Sequence, residues 1–534
     1  MNASRYDPEV TMIGMGAEGE TMPDGPVAEE LARGRHFSLQ VRKTNASVSA
    51  EGYSTHLVGH DPVLVESGAR TTHSLQAGWS WVNGRLTVFA DRLGIIPIYY
   101  RVDDREIVVS ESILGLASHS PDLTIDLFEV YAFLKLGVYL GSATPFLGVQ
   151  RMRAEETIVW EEGRLTRSLP QKNLTPYLGT RDRAIAEAQH LFVEAVRKRL
   201  HNHLRQFVPI SGGRDSRHIL LELARQRAQG LHAVTVRYMN DYPEDVRVGS
   251  LVANAASVPH SILSNDHRHY FKRLAEQISI NNFESIFHDW MPALTLKSFG
   301  RNHLFFDGLG GDALLNSAYK GVLPAGMFES MQSGDIERMA DTFAGDFNPP
   351  KYLRRLPDAQ SFADKLKSRL IDEFSRHKGA PDIMCRFMFE HRTRRATGIG
   401  PIAVLGRVAQ VSLPYLDEGL VNFAYRLPAS DYWKPGFHDE VIARYYPEFT
   451  HIPFENIELR AQSKLDWRLQ LRLMCGCVPL LLRSSKWTVV RRFHAVSRFL
   501  YCCLRLRMSG HFYISDSDVY FHTLRSLTRA KRRA

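Results

Sequence analysis

Gln206-Phe-Val-Pro-Ile-Ser-Gly-Gly-Arg-Asp-Ser-Arg-His-Ile-Leu-Leu-Glu-Leu223 reads as a buried strand, a glycine-rich turn and an amphipathic helix. Gly212 and Gly213 have no Cβ, so the backbone can turn tightly and present N–H groups at the start of the helix, where the macrodipole also favours an anion. Ser211 and Ser216 add hydroxyl donors. Asp215 is the odd member, because a phosphate repels an acid unless a cation sits between them. A Mg2+ held jointly by carboxylate and phosphate oxygens removes the conflict, so the turn asks for a magnesium nucleotide. The spacing is neither that of a Walker loop nor that of a dinucleotide fingerprint. An ordinary strand-to-helix turn, with Asp-Ser as its cap, is the bland alternative.

Outward from this turn the chain alternates. An amphipathic helix over Asp182 to Leu200 precedes it, and the turn's own helix runs from His218 to about Gln229. Strands at His232–Tyr238 and around His260–Leu263 then alternate with helices at Asp245–Ala256 and Tyr270–Ile280. This order predicts an α/β fold with a doubly wound parallel sheet, its ligand at the carboxyl ends of the strands. Leu304-Phe-Phe-Asp-Gly-Leu-Gly-Gly-Asp-Ala-Leu314 repeats the logic of the first turn and offers Asp312 as a second carboxylate for the metal.

Upstream, residues 1–35 show no clear periodicity and are expected to be poorly ordered. From residue 36 short alternating apolar runs appear: Phe37–Val41, Trp79–Val82, Arg85–Ala90, Ile98–Val102 and Glu106–Ser110. Turn signals at Asn83-Gly84 and Asp103-Asp104 make hairpins of them and predict a β-rich domain over 36–180.

Three signatures after residue 205 and four runs before residue 150 carry a family resemblance. Ser-Gly-Gly-x-Asp-Ser is similar to the pyrophosphate (PP) loop of the ATP pyrophosphatases, and the turn ending in Asp312 resembles the second signature of class B, glutamine-hydrolysing asparagine synthetases. Val411-Ser-Leu-Pro-Tyr-Leu-Asp417 is similar to that family's Val-Pro-Phe-Leu-Asp stretch. Gly84–Tyr100, Val109–Ser112, Phe133–Gly137 and Phe146–Val149 resemble its glutaminase-type, Ntn-hydrolase-like front domain. The resemblance implies an ATP-pyrophosphatase synthetase domain over 181–460, with Asp215 and Asp312 as catalytic Mg2+ ligands. Ser211, Gly212, Gly213, Asp215, Ser216, Val234, Gly308, Gly310 and Gly311 would bind ATP. Lys464 is the counterpart of the family's late catalytic lysine, with Lys434 as its rival.

The departures bear on chemistry. The family's front domain attacks glutamine with an N-terminal cysteine, whereas this sequence begins Met1-Asn2 and has no cysteine before Cys385. A degenerate glutaminase-like domain without activity is therefore expected. The position that carries glutamate in asparagine synthetases, and tyrosine in β-lactam synthetases, is here Leu309, which cannot move a proton; Ala313 replaces the acid that usually follows the metal aspartate. Arg214 and Arg217 can clamp a phosphate or a substrate carboxylate, or they are solvated helix-start residues. Asp289, within His288-Asp289-Trp290, is either a substrate residue or a structural cap. Glu390-His-Arg-Thr-Arg-Arg395 reads as a solvated helix face, or as one that turns an acid or base toward the site.

Length and composition set the remaining bounds. With 534 residues, 44% hydrophobic, the chain has room for two or three domains. Its five cysteines lack paired zinc spacing, no apolar run approaches the roughly 20 residues of a spanning helix, and a cytoplasmic setting is expected. The net charge of +9 is concentrated in residues 461–534, where only Asp466, Asp516 and Asp518 oppose the basic residues. The body of the chain thus gives no reason to expect nucleic acid. The tail reads as basic amphipathic helices that complete the core, lie peripherally on an anionic membrane, or face a peptide precursor. Taken together, an ATP-dependent amide-bond-forming ligase is expected, one that adenylates a small-molecule or peptide carboxylate and passes it to an amine. Its relatives would be the β-lactam synthetases and the lasso-peptide macrolactam synthetases of natural-product biosynthesis. An ammonia-using asparagine synthetase and a non-catalytic nucleotide-binding scaffold stay open.

Overall fold

The computed structural model describes residues 75–454 except 83, 105, 120–122, 171–173, 238–242, 265–269, 286–290, 292–301, 316–325, 347–357, 408 and 429–435. It also describes the short strands at 20–21, 38–42, 47–51 and 57–59, and residues 520, 523 and 524. The chain divides into two compact units, one made of residues 1–59, 75–123 and 147–170, the other of 60–74, 124–146 and 171–534.

The first unit contains two antiparallel sheets. One has six strands in the order Glu20–Thr21, Ser47–Glu51, Ser38–Arg42, Glu106–Ser110, Tyr99–Val102, Val149–Arg151. The other has five: Arg164–Ser168, Thr157–Glu161, Arg85–Phe89, Gln76–Val82, Leu57–Gly59. Both sequence-read hairpins are present, since Val82 pairs with Arg85 and Val102 with Ile107. Gly84 takes the positive φ, +77°, that the first of these turns requires. Alternation buries Leu86 and Val88 on one strand and Ile158 and Trp160 on its partner, so one face of the five-stranded sheet is apolar. Apart from Glu20–Thr21, residues 1–35 lie outside the described residues.

The second unit is built on five parallel strands in the order His260–Ser264, His232–Arg237, Arg205–Pro209, His303–Phe306, Gln410–Ser412. From Arg205–Pro209 the chain winds outward through two strands in one direction, then returns to place His303–Phe306 on the other side. The reversal falls between Arg205–Pro209 and His303–Phe306, and a ligand crevice is expected at such a point, at the carboxyl ends of the strands. Both glycine-rich turns leave from those two ends. The helix read over Asp182–Leu200 is observed at Arg181–Arg197, capped by Thr180, with Ala184, Ile185, Ala188, Phe192, Ala195 and Val196 buried.

The helix Leu127–Leu136 belongs to this second unit, with Asp126 accepting from the N–H groups of Phe128 and Glu129 and Gly137 closing it in the left-handed region. Tyr520 is buried here too, stacked on Phe133 at 4.8 Å and donating to the carbonyl of Phe283 at 2.7 Å. Residues 461–519, which carry most of the basic tail, lie outside the described residues.

The run Glu390–Arg395 differs from a solvated helix face. Phe389–Thr397 forms a π-helix, and His391, Arg394 and Arg395 on it are fully buried. Arg394 and Arg395 donate to the carbonyl of Gly141, and Arg395 also reaches Ala143 and Glu284. Burying such charges is tolerable only because each guanidinium is filled with acceptors.

Candidate active site

Each turn ends a parallel strand, and the pair meet through missing side chains. In the first, the N–H of Ser211 donates to Ser216 Oγ at 3.2 Å and the N–H of Gly213 to Ser211 Oγ at 3.2 Å. Asp215 opens the helix Asp215–Arg225. In the second, Asp307 accepts from the N–H of Leu309 at 2.8 Å, which folds Asp307–Asp312 back on itself. The N–H of Asp312 then donates to Asp215 Oδ2 at 3.0 Å. A Cβ on Gly308 would lie 2.9 Å from Asp215 Cβ, and one on Gly311 2.6 Å from Asp215 Cγ. The glycines of the second turn therefore make room for the acid of the first.

The side chains of Asp215 and Asp312 stay partly open, 23% and 37% exposed. Partial desolvation, and then the Asp215 charge, push the Asp312 carboxyl above its ordinary range, while Arg392, 3.7 Å away, pulls it back. Two acids at the carboxyl end of a parallel sheet, one raised by the other, form a pair suited to a divalent cation.

Sequence reasoning missed Asp245, whose Oδ1 accepts the N–H of Gly212 at 2.9 Å. The only signal was an acidic pair opening the next helix, Pro243–Ala255. It missed Asp307 as well, an acid in plain view within the second signature. Burial pushes the Asp307 carboxyl up to about 6; the N–H of Leu309 opposes that shift and the Asp215 charge adds to it. Because the folded pKa lies above the unfolded one, the native state binds the extra proton. Stability should then fall as pH rises from about 4 to 6. Asp307→Asn keeps the acceptor and removes the charge, so it should stabilise the protein at pH 7 by up to about 3 kcal/mol and leave it unchanged near pH 4. Urea unfolding at both pH values checks this, and equal effects at the two would contradict it.

The third stretch supports the first from below. Tyr415 OH donates to the carbonyl of Asp215 at 3.3 Å. Asp417 caps the helix Glu418–Ala424 and pairs with buried Arg199 at 3.0 Å. Burial alone would raise Asp417, but the Arg199 charge and hydrogen bond, with Lys198 and the Gly419 N–H, hold it below the usual range.

The other sequence-read residues fall out as follows. Val234 is buried in its strand and accepts the N–H of Ile210 at 2.8 Å. Gly310 has φ +91° and abuts Leu416. Leu309 is buried. The Arg214 guanidinium grips both oxygens of Asp439 and stacks on Phe454. Arg217 is buried, donates to the carbonyls of Ile452 and Pro453 at 2.9 and 2.6 Å, and is pushed down to about 10 by burial and by Arg214. Both arginines thus bind the chain that follows the sheet, and neither guanidinium is a solvated helix-start group. Asp289, Lys434 and Lys464 lie outside the described residues.

Residues 187–438 match the asparagine synthase family. No curated protein matches the chain. The asparagine synthase domain so delimited starts inside the helix Arg181–Arg197, takes in all five parallel strands and both glycine turns, and ends at His438. Asparagine synthase domains use ATP and Mg2+ in general, and the domain implies ATP-dependent carbon–nitrogen ligase chemistry. The local geometry fits such a ligand pair, with a glycine cradle, a helix start and two half-open acids at the point where the strand order reverses.

Proposed function

We propose that this protein adenylates a substrate carboxylate with ATP, releases pyrophosphate and joins the acyl group to an amine supplied by a substrate. The observation that carries this reading is the direct contact of the two turns, Asp312 N–H on Asp215 Oδ2, at the carboxyl ends of adjacent parallel strands. The hydroxyls of Ser211 and Ser216 and the start of the helix would cradle the phosphates. Mg2+ held by Asp215 and Asp312 would neutralise charge on the departing pyrophosphate. The carboxylate oxygen attacks the α-phosphorus as the bond to the β-phosphate oxygen breaks. The amine nitrogen then attacks the acyl carbon, AMP leaves, and the nitrogen gives up its proton. The sequence as given has no cysteine before Cys385 to free ammonia from glutamine, which favours a substrate amine; Leu309 departs from the glutamate of asparagine synthetases and from the tyrosine of lactam-forming relatives alike, so another group takes the proton.

Pyrophosphate release from Mg-ATP, with and without a small-molecule and peptide extract of the host, tests this reading. Extract-dependent release should fall by about 10³-fold in Asp215→Ala, the loss expected when a charge-stabilising group is removed. Release that persists in the variant would contradict the assignment.

A further inference from the structure

A carboxylate that binds a metal beside a polyphosphate needs one oxygen fixed from behind so that the other faces the ligand. Asp215 has such an inner side. Its Oδ1 is enclosed although the side chain as a whole is 23% exposed, and its Oδ2 is turned to the second glycine turn, where it accepts the N–H of Asp312. The group facing Oδ1 is His438 Nδ1 at 3.4 Å, on the helix Phe437–Tyr445, and among the described residues neither atom has a hydrogen-bond partner elsewhere. His438 is fully buried.

A chain of contacts lies behind this histidine. Gln189 Nε2 donates to Tyr446 OH at 3.0 Å, so Gln189 Oε1, 3.0 Å from His218 Nε2, is an acceptor and His218 Nε2 carries a proton. Burial, and then the His438 charge, hold His218 well below the usual histidine range, so it is neutral and its Nδ1 accepts. His438 Nε2 lies 3.1 Å from that nitrogen, and Tyr415 OH lies 3.4 Å from both. On the other edge of the ring Nδ1 faces Asp215 Oδ1 across 3.4 Å, and it is the N–H form of Nδ1 that donates to this oxygen.

We propose that His438 is a positioning residue for Asp215, holding Oδ1 from inside the fold so that Oδ2 is presented to the cation on the phosphate side. This rests on the reading that Asp215 holds the metal of a magnesium nucleotide. The relay Gln189–His218–His438 fixes the ring, and Tyr415 closes the same pocket, its OH 3.4 Å from His438 Nε2.

Two substitutions separate positioning from packing. His438→Asn places an amide N–H where Nδ1 stands and keeps a donor for Asp215. His438→Gln places its amide near Nε2, keeping the bond to His218 and losing the one to Asp215. Calorimetric titration of the full chain with ATP at graded Mg2+ concentrations is the readout, with adenosine as the metal-independent control. The Mg2+ concentration for half-maximal ATP binding should rise about 10- to 100-fold in His438→Gln, the usual cost of losing a group that orients a metal ligand. It should stay near wild type in His438→Asn, with adenosine affinity unchanged in both. Equal impairment of the two variants, a parallel loss of adenosine affinity, or an unshifted His438→Gln would overturn the proposal. Failure of the wild-type chain to bind Mg-ATP would instead remove the reading beneath it.

Discussion

Gly311→Ala should cost the protein its magnesium-nucleotide site. A Cβ at this position would sit 2.6 Å from Asp215 Cγ, 2.7 Å from Asp215 Oδ1 and 2.9 Å from a ring carbon of Tyr415. None of these can yield cheaply, since Asp215 begins a helix and Tyr415 is fully buried. The two turns would have to part, and a displacement near 1 Å is enough to lower a geometry-dependent step by about 10²-fold. The overpacking itself should cost about 1–3 kcal/mol. Calorimetry with Mg-ATP and a melting curve measure both effects. Gly345→Ala is the control, because nothing lies within 4 Å of a Cβ there and the residue is in the helix Ile336–Asp346. It should stabilise slightly, by about 0.5–1 kcal/mol. If Gly311→Ala bound Mg-ATP as the wild type does, the apposition of the turns would be wrong.

Arg395→Ala should have the largest effect on stability. The ion pair with Glu284 is completely buried on both sides, at 2.7 Å, and the same guanidinium satisfies the carbonyls of Gly141 and Ala143. Removing it takes the counter-charge from a buried carboxylate and the donor from the Ala143 carbonyl, while Gly141 keeps its bond from Arg394; losing one side of a buried pair costs about 3–5 kcal/mol. For a domain of this size that corresponds to roughly 10 °C in melting temperature. Lysine should rescue little, because a single ammonium cannot reach three acceptors in the guanidinium's planar fork. The exposed pair Arg444–Asp182 also measures 2.7 Å, yet breaking it should change stability by less than about 1 kcal/mol. Thermal melts of the two variants side by side decide the matter, and similar small shifts would refute the distinction.

What the sequence disclosed followed from local rules. A strand, two glycines and an amphipathic helix can be recognised in one window, and so can the hairpin at Asn83-Gly84, because neighbouring residues decide both. Groups brought in from a distance were hidden. Nothing near His438 or Tyr415 in the chain signals that they stand beneath Asp215, and Asp245 meets Gly212 only after the sheet has formed. Arg214 and Arg217 were visible as charges, but their direction depends on Phe454 and on the carbonyls at 452 and 453. In the charged run at 390–395 the alternative of one charged group turned toward the site holds, since Arg392 lies 3.7 Å from Asp312, while the solvated face does not: composition measures the cost of burying an arginine and says nothing of the acceptors waiting for it.

His218 and His438 stand 220 residues apart in the chain. At a synthesis rate of about 5–20 residues per second, the phosphate turn exists for roughly ten to forty seconds before the residue behind its acid is made. For most of that interval the strand Gln410–Ser412, which flanks the second turn's strand, is also absent. A nascent chain would thus carry a recognisable loop and no competent crevice, so nucleotide capture becomes a late event in the protein's life, reserved for chains whose sheet has closed.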